Sequence, residues 1–245
     1  MRAVVIIPAR YKSSRYPGKP LVNLLGKPMI VWVAELSARA LGAANVYVAT
    51  DDDRIADCVV QAGYQAVMTE DARNGTERLA QGARQIEADT YINVQGDEPL
   101  VDPADIRRVR DAKQTRPDCV INGFSWVSEK EDPANVNIPK VITNERGEMV
   151  YMSRLALPGY KEAENAPVHY RKQVCIYAFS REELDAYNAF GRKSALEHCE
   201  DIEILRFLEL DKRVLMVETK PGSLAVDVPE DVPGVEQALK KQEAG

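Results

Sequence analysis

Apolar runs and polar intervals alternate along the first hundred residues in a βα rhythm. Val4–Ile7, Val46–Ala49, Ala66–Met68 and Thr90–Val94 are short and rich in β-branched side chains, the pattern of strands buried on both faces. Between them, Met29–Leu41, Asp53–Ala62 and Glu77–Glu87 carry helical spacing. This predicts an α/β fold with a mainly parallel sheet and helices on both faces. The second half differs. Cys119–Val127, Pro139–Thr143, Met149–Met152 and Gln173–Phe179 read as strands divided by turns such as Asn144-Glu145-Arg146-Gly147, mostly without helices between them. They predict an antiparallel extension that covers the crevice and pairs with a second subunit. Pro158–Pro167 reads as an irregular loop. Leu196, Cys199, Ile202, Leu205 and Leu208 recur at every third position and predict one amphipathic helix over Leu196–Leu210. Val214–Val217 is the last strand before a C-terminal helix.

At 245 residues the chain suits one α/β domain, 1–245, in which 119–180 form the β-rich lobe. The net charge of −6 argues against a general nucleic-acid binder, but it is unevenly distributed. Residues 1–50 hold seven Lys and Arg against the single acid Glu35, which fits a local anion pocket. Four widely spaced cysteines and two histidines give neither a disulfide pattern nor a zinc-ligand spacing. No signal-like leader and no apolar run near the roughly 20 residues of a membrane span is present, so a cytoplasmic protein without membrane insertion is expected.

Three strand ends carry polar residues, and ligands of open α/β sheets bind beyond the carboxyl ends of the strands. After the first strand, Pro8–Pro20 places Arg10, Lys12, Arg15 and Lys19 together without an acid. Fixed cations and free backbone N–H groups there suit a polyphosphate, although a solvated basic loop has the same composition. Asp97, in Gln95-Gly96-Asp97-Glu98-Pro99, either holds Mg²⁺ with its hard oxygen donors or bonds the backbone of a turn. Glu98, its neighbour, points elsewhere in either case. Asp227 either caps the Pro229-Glu230-Asp231 turn or reaches the same metal. Asn74-Gly75-Thr76-Glu77-Arg78 is both a loose capping pattern and a helix start able to face a nucleotide. No GxxxxGK[ST], GxGxxG or GxSxG motif is present, and His198 beside Cys199 reads as a helix-surface residue.

The ordered series Pro8-Ala9-Arg10, Ser14-Arg15, Pro17-Gly18-Lys19-Pro20-Leu21, Gly26-Lys27-Pro28-Met29-Ile30, Ala49-Thr50-Asp51-Asp52, Gly75-Thr76-Glu77-Arg78-Leu79, Gln95-Gly96-Asp97-Glu98-Pro99, Tyr151-Met152-Ser153-Arg154, Ile176-Tyr177, Leu196-Glu197-His198 and Val226–Asp231 resembles the CMP-KDO synthetases (3-deoxy-manno-octulosonate cytidylyltransferases) over nearly the whole chain. The resemblance implies a nucleotide-diphospho-sugar transferase fold, Rossmann-like and usually dimeric. It further implies transfer of CMP from CTP to the anomeric hydroxyl of a 2-keto-3-deoxy sugar acid, with release of pyrophosphate, for lipopolysaccharide or capsule synthesis. Carried over by position, Arg10, Ser14, Arg15 and Lys19 bind the triphosphate, and Pro8, Ala9, Asn74, Gly75, Thr76, Arg78 and Gln95 help hold the nucleotide. Asp97 and Asp227 bind Mg²⁺ and join Lys19 and Arg15 as the catalytic set. Arg154, Gln173, Tyr177 and Glu203 line the sugar-acid pocket.

Three positions depart from the family pattern. Gln173 stands where a His is expected before the Ile176-Tyr177 strand, Ile204 where Leu-Glu-Gln-Leu-Arg has Gln, and Asn74 where Ser is usual. Gln cannot become cationic as His can, and Ile forms no amide hydrogen bonds. These departures leave open a modified acceptor, such as an amino sugar analogue, or another small anionic acid. A non-catalytic nucleotide-binding regulator is the alternative of another class.

Overall fold

The computed structural model describes residues 1–13, 16–129 and 131–243. The first half follows the βα rhythm. Strand β1 (Ala3–Ala9) leads through the basic loop into a two-residue hairpin, β2 (Asn23–Leu24) with β3 (Lys27–Pro28), and then α1 (Met29–Leu41). There follow β4 (Val46–Thr50), α2 (Asp53–Gln61), β5 (Gln65–Met68), α3 (Gly75–Ala83), β6 (Thr90–Val94) and α4 (Pro103–Thr115). The second half contributes β7 (Val120–Trp126), β8 (Lys140–Thr143), β9 (Met149–Ser153), β10 (Arg171–Phe179), α5 (Arg181–Ala189), α6 (Ala195–Glu200), α7 (Leu205–Glu209), β11 (Val214–Glu218) and α8 (Val232–Glu243).

Among the described residues nine strands form one mixed sheet, whose main path runs β11-β7-β10-β6-β1-β4-β5. β6, β1, β4 and β5 pair in parallel, and β10 enters antiparallel between β6 and β7. The expected antiparallel extension is therefore built into the sheet itself. Only β8 and β9 stand off the main path, joined to it through β10.

Helices cover both faces, which is why β1 can be apolar at successive positions. Val5 and Ile7 pack with Ile30, Val33, Ile106 and Val109 from α1 and α4. Val4 and Ile6 face the opposite core, with Leu79 and Ala83 from α3, Leu184 from α5 and Phe207 from α7. At the carboxyl end of β6 the sheet admits no extra atom: a Cβ on Gly96 would lie 2.9 Å from the Pro8 carbonyl oxygen.

Two expectations change. The helix predicted over Leu196–Leu210 is two helices, because Asp201 adopts the left-handed conformation (φ 51°) and ends α6. A short polar side chain visits that region at lower cost than an apolar one. The third helix begins at Gly75 rather than Glu77 and ends at Ala83.

Candidate active site

Beyond the carboxyl ends of β1 and β6 lies a cleft of about 390 Å³. Gly18, left-handed at φ 73°, folds the basic loop back so that its N–H donates to the Tyr11 carbonyl at 2.9 Å. A Cβ there would meet the Tyr11 ring at 3.2 Å. This turn delivers Lys19, whose Nζ bonds Asp97 Oδ2 at 2.6 Å and lies 3.6 Å from Asp227 Oδ1. A backbone bond from Val226 N to the Asp97 carbonyl (2.9 Å) holds the two acidic segments side by side. Capping at the 229–231 turn is done by Asp231, which accepts from the N–H groups of Asp227 and Val228 at 2.8 and 2.9 Å. The Asp227 carboxylate is thereby directed to the cleft.

Glu98 turns away from this cluster, buried and accepting from Ser223 Oγ at 2.8 Å. Burial, and then the neighbouring Asp97 and Asp227 charges, push its carboxyl up to about 7.

The opposite wall is the start of α3. Asn74 caps it by accepting from the Glu77 N–H at 2.9 Å, while its amide donates to the Tyr187 hydroxyl and to Glu197. Behind it Arg206, fully buried, donates twice to Glu197 (2.6 and 2.7 Å) and once to Glu77 (3.2 Å), with its guanidinium over the Tyr187 ring. The N–H groups of Gly75 and Thr76, expected to face a nucleotide, here donate to Glu203, which also accepts from Thr76 Oγ1 at 2.6 Å. Burial pushes the Glu203 carboxyl up against these three bonds. Arg78 is almost fully buried and paired with Asp51 at 2.9 Å.

Pro8, Ala9, Arg10, Lys19, Asn74, Gly75, Arg78, Gln95, Asp97, Glu203 and Asp227 thus line one cleft, with Thr76 directly behind. Ser14 and Arg15 lie outside the described residues. Gln173 and Tyr177 do not line the cleft. They sit on the same face of the sheet as Gln95, and the Glu203 charge contributes, after burial and Cys175, to raising the Tyr177 phenol well above its ordinary range. Arg154 also lies off the cleft. Its guanidinium donates to the carbonyls of Val136, Glu200 and Asp201, tying β9 to the end of α6. Ile204 is buried in the core with Leu205 and Phe207.

The cleft also contains Arg73, Lys193, Glu197 and Asp201, which sequence reasoning missed. Lys193 pairs with Asp201 at 2.7 Å. A usable signal was present: Lys193 directly precedes the Ser194–Glu197 capping box, which marks a helix entry.

An open α/β sheet with a cationic loop and two carboxylates at its carboxyl edge defines a nucleotide-handling enzyme scaffold. The Cytidylyltransferase family profile matches residues 4–214. The 3-deoxy-manno-octulosonate cytidylyltransferase of Trichlorobacter lovleyi is 40% identical, over 98% of this chain and all of that protein. The 8-amino-3,8-dideoxy-manno-octulosonate cytidylyltransferase of Shewanella baltica is 38% identical, over 98% of this chain and 99% of its own. The structure of CMP:2-keto-3-deoxy-manno-octonic acid synthetase complexed with CTP superposes with a TM-score of 0.92 at 37% identity, covering 99% of this chain and 100% of that one. At 15% identity, the inositol-1-phosphate CTP transferase of T. maritima shares the fold, with a TM-score of 0.71 and coverage of 100% and 97%. The chain belongs to the cytidylyltransferases and, among them, to the 3-deoxy-manno-octulosonate cytidylyltransferase family.

Proposed function

We propose that this protein transfers CMP from CTP to the anomeric hydroxyl of 3-deoxy-manno-octulosonate. The hydroxyl oxygen forms the new bond to the α-phosphorus, the bond to the β-phosphate bridge breaks, pyrophosphate leaves, and the hydroxyl proton passes to solvent. The observation that carries this reading is the convergence of Lys19, Asp97 and Asp227 at the cleft mouth. Negative charge grows on the phosphoryl oxygens and the leaving group, and cations already aimed there stabilise it. Lys19 serves as a point charge on the β- and γ-phosphates, and Arg10 and Arg73 extend the positive wall.

Asp97 and Asp227 would hold Mg²⁺. They already bracket a cation, the Lys19 ammonium, and among the described residues no group of three or more His, Cys, Asp or Glu forms a fuller cage. Two carboxylates suit an ion that completes its shell with water and substrate phosphate. When bound, Mg²⁺ supplies charge neutralisation at the phosphates and acidifies the attacking hydroxyl.

Gln173 favours a second reading, the same transfer to the 8-amino-8-deoxy acid, since a neutral amide does not repel a protonated amine as a histidine cation would. Pyrophosphate release with CTP, Mg²⁺ and a panel of 2-keto-3-deoxy acids tests both readings. Turnover with 3-deoxy-manno-octulosonate supports the first, and turnover confined to the amino acid supports the second. CTP binding without turnover on any acid would leave a nucleotide-binding regulator.

We further propose that 119–180 contribute both acceptor contacts and a homodimer face. Val150, Leu155, Tyr160 and Val168 are exposed apolar side chains in and beyond β9, and exposed apolar area favours burial against another chain.

A further inference from the structure

β10 carries a bulge where it pairs with β7. Val174 pairs with Gly123 but Tyr177 with Asn122, so three steps along β10 match one along β7. Bulges commonly re-aim side chains beside functional sites. Two neighbours make this one possible. A Cβ on Gly123 would lie 2.6 Å from Ile176 Cγ2, so only glycine fits. Asn122, fully buried, donates to the Val174 carbonyl at 2.9 Å and to the Ile176 carbonyl at 3.1 Å. These are carbonyls at the bulge, and without Asn122 they would lose those donors.

Both amide protons of Asn122 are thereby used, and its orientation is fixed, because a flipped carboxamide would set oxygen against oxygen. Its Oδ1 must then face Gln173, and it accepts from Gln173 Nε2 at 3.2 Å. The second proton of that amide goes to the Tyr177 hydroxyl at 3.1 Å. Residues four apart in a regular strand stand roughly 13 Å apart along the chain. The bulge and two long side chains bring these two together. With both protons committed, Gln173 has only its carbonyl oxygen left to offer, and among the described residues no donor reaches it.

We propose that Gln173 is a specificity-determining residue that accepts a hydrogen bond from a hydroxyl or a protonated amine of the sugar acid, and that Asn122 is the positioning residue that fixes this polarity. The inference rests on the proposed transfer reaction. A histidine at this position could instead present a donor or a cation. A site built around an acceptor discriminates strongly, because a partner lacking the donor leaves a desolvated oxygen unpaired.

The test compares wild type, Gln173→Met, Asn122→Ala and the double variant. Pyrophosphate release is measured with 3-deoxy-manno-octulosonate and with 8-amino-3,8-dideoxy-manno-octulosonate, and CTP affinity by calorimetry without acid. Gln173→Met is expected to lower kcat/KM at least about tenfold, through KM for the acid, with CTP affinity unchanged. Asn122→Ala is expected to reproduce that loss, and the double variant to add little to it. Equal losses on both acids assign the donor to a shared hydroxyl, whereas a loss confined to the amino acid assigns it to the amine. Gln173 is half-buried, so its variant keeps the test decisive if Asn122→Ala does not fold. Unchanged acid KM in Gln173→Met, in an enzyme that turns over either acid, would overturn the inference alone. A wild-type protein that turns over neither acid would overturn the transfer reading and this inference with it.

Discussion

Lys19 touches two carboxylates that repel each other, and this shared contact is the residue-scale signature of the site. If Asp97 and Asp227 serve a metal, Asp97→Asn and Asp227→Asn should each lower kcat by about 10²-fold or more. Circular dichroism should show the fold retained, because both side chains face the cleft. Unchanged Mg²⁺-dependent CTP consumption in both variants would remove the metal assignment. Glu98 gives a prediction of another kind. Its carboxyl titrates near 7 instead of 4.5, so the folded state binds its proton more tightly than the unfolded state does. Stability from this group is fully present below pH ~4.5 and is lost as pH rises through about 7. The cost at higher pH is on the order of 3 kcal/mol. In metal-free buffer, Glu98→Gln should match wild type in Tm at about pH 4 and exceed it at about pH 8. Equal Tm differences at the two values would contradict this. The place of Asp97 was legible in the sequence because it lies just beyond the buried strand β6, whereas Lys19 and Asp227 follow no strand directly and reach it through the loops after β1 and β11. The Glu203 contacts to Gly75 and Thr76 were not, since they join positions 127 and 128 residues apart.

Among the elements, the break at Asp201 decides what α6 and α7 do. A single helix over Leu196–Leu210 satisfies the three-residue spacing, but the observed turn lets α7 present Arg206 to Glu197 and Glu77 together. Removing the cation would leave two buried carboxylates without it. Arg206→Met should therefore destabilise the fold by about 3–5 kcal/mol, read as a lower urea midpoint. It should also weaken CTP binding through the loosened start of α3; a variant as stable as wild type would refute the pairing's importance. Periodicity missed α4 because its surface is largely polar, with Ile106 and Val109 at its buried centre. Its start was nonetheless written as Asp102-Pro103, an N-cap followed by proline at the first helical position. Likewise Ser180 and Glu183 form the capping box that opens α5.

For the whole molecule, the parallel half was legible because β-branched runs separated by amphipathic helices leave few arrangements. The place of β10 between β6 and β7 was not, because strand order in a mixed sheet depends on partners remote in sequence. No helix among the described residues is long and apolar enough to cross a membrane. The exposed apolar residues around β9 lead to the proposed second copy. Light scattering should give a mass near twice 27.3 kDa, and Val150→Asp with Val168→Asp should shift it toward the monomer. A wild-type monomer at micromolar concentration would dismiss the dimer.

The lack of space for a Cβ on Gly96 against the Pro8 carbonyl limits how the cleft can vary. The gap between the end of β1 and the acidic turn after β6 is already at the thickness of bare backbone, so no substitution can narrow it. Variation at this junction runs in one direction, toward a wider mouth. A change in the width of the cleft must therefore come from its other lining, at the start of α3 and around Lys193 and Asp201.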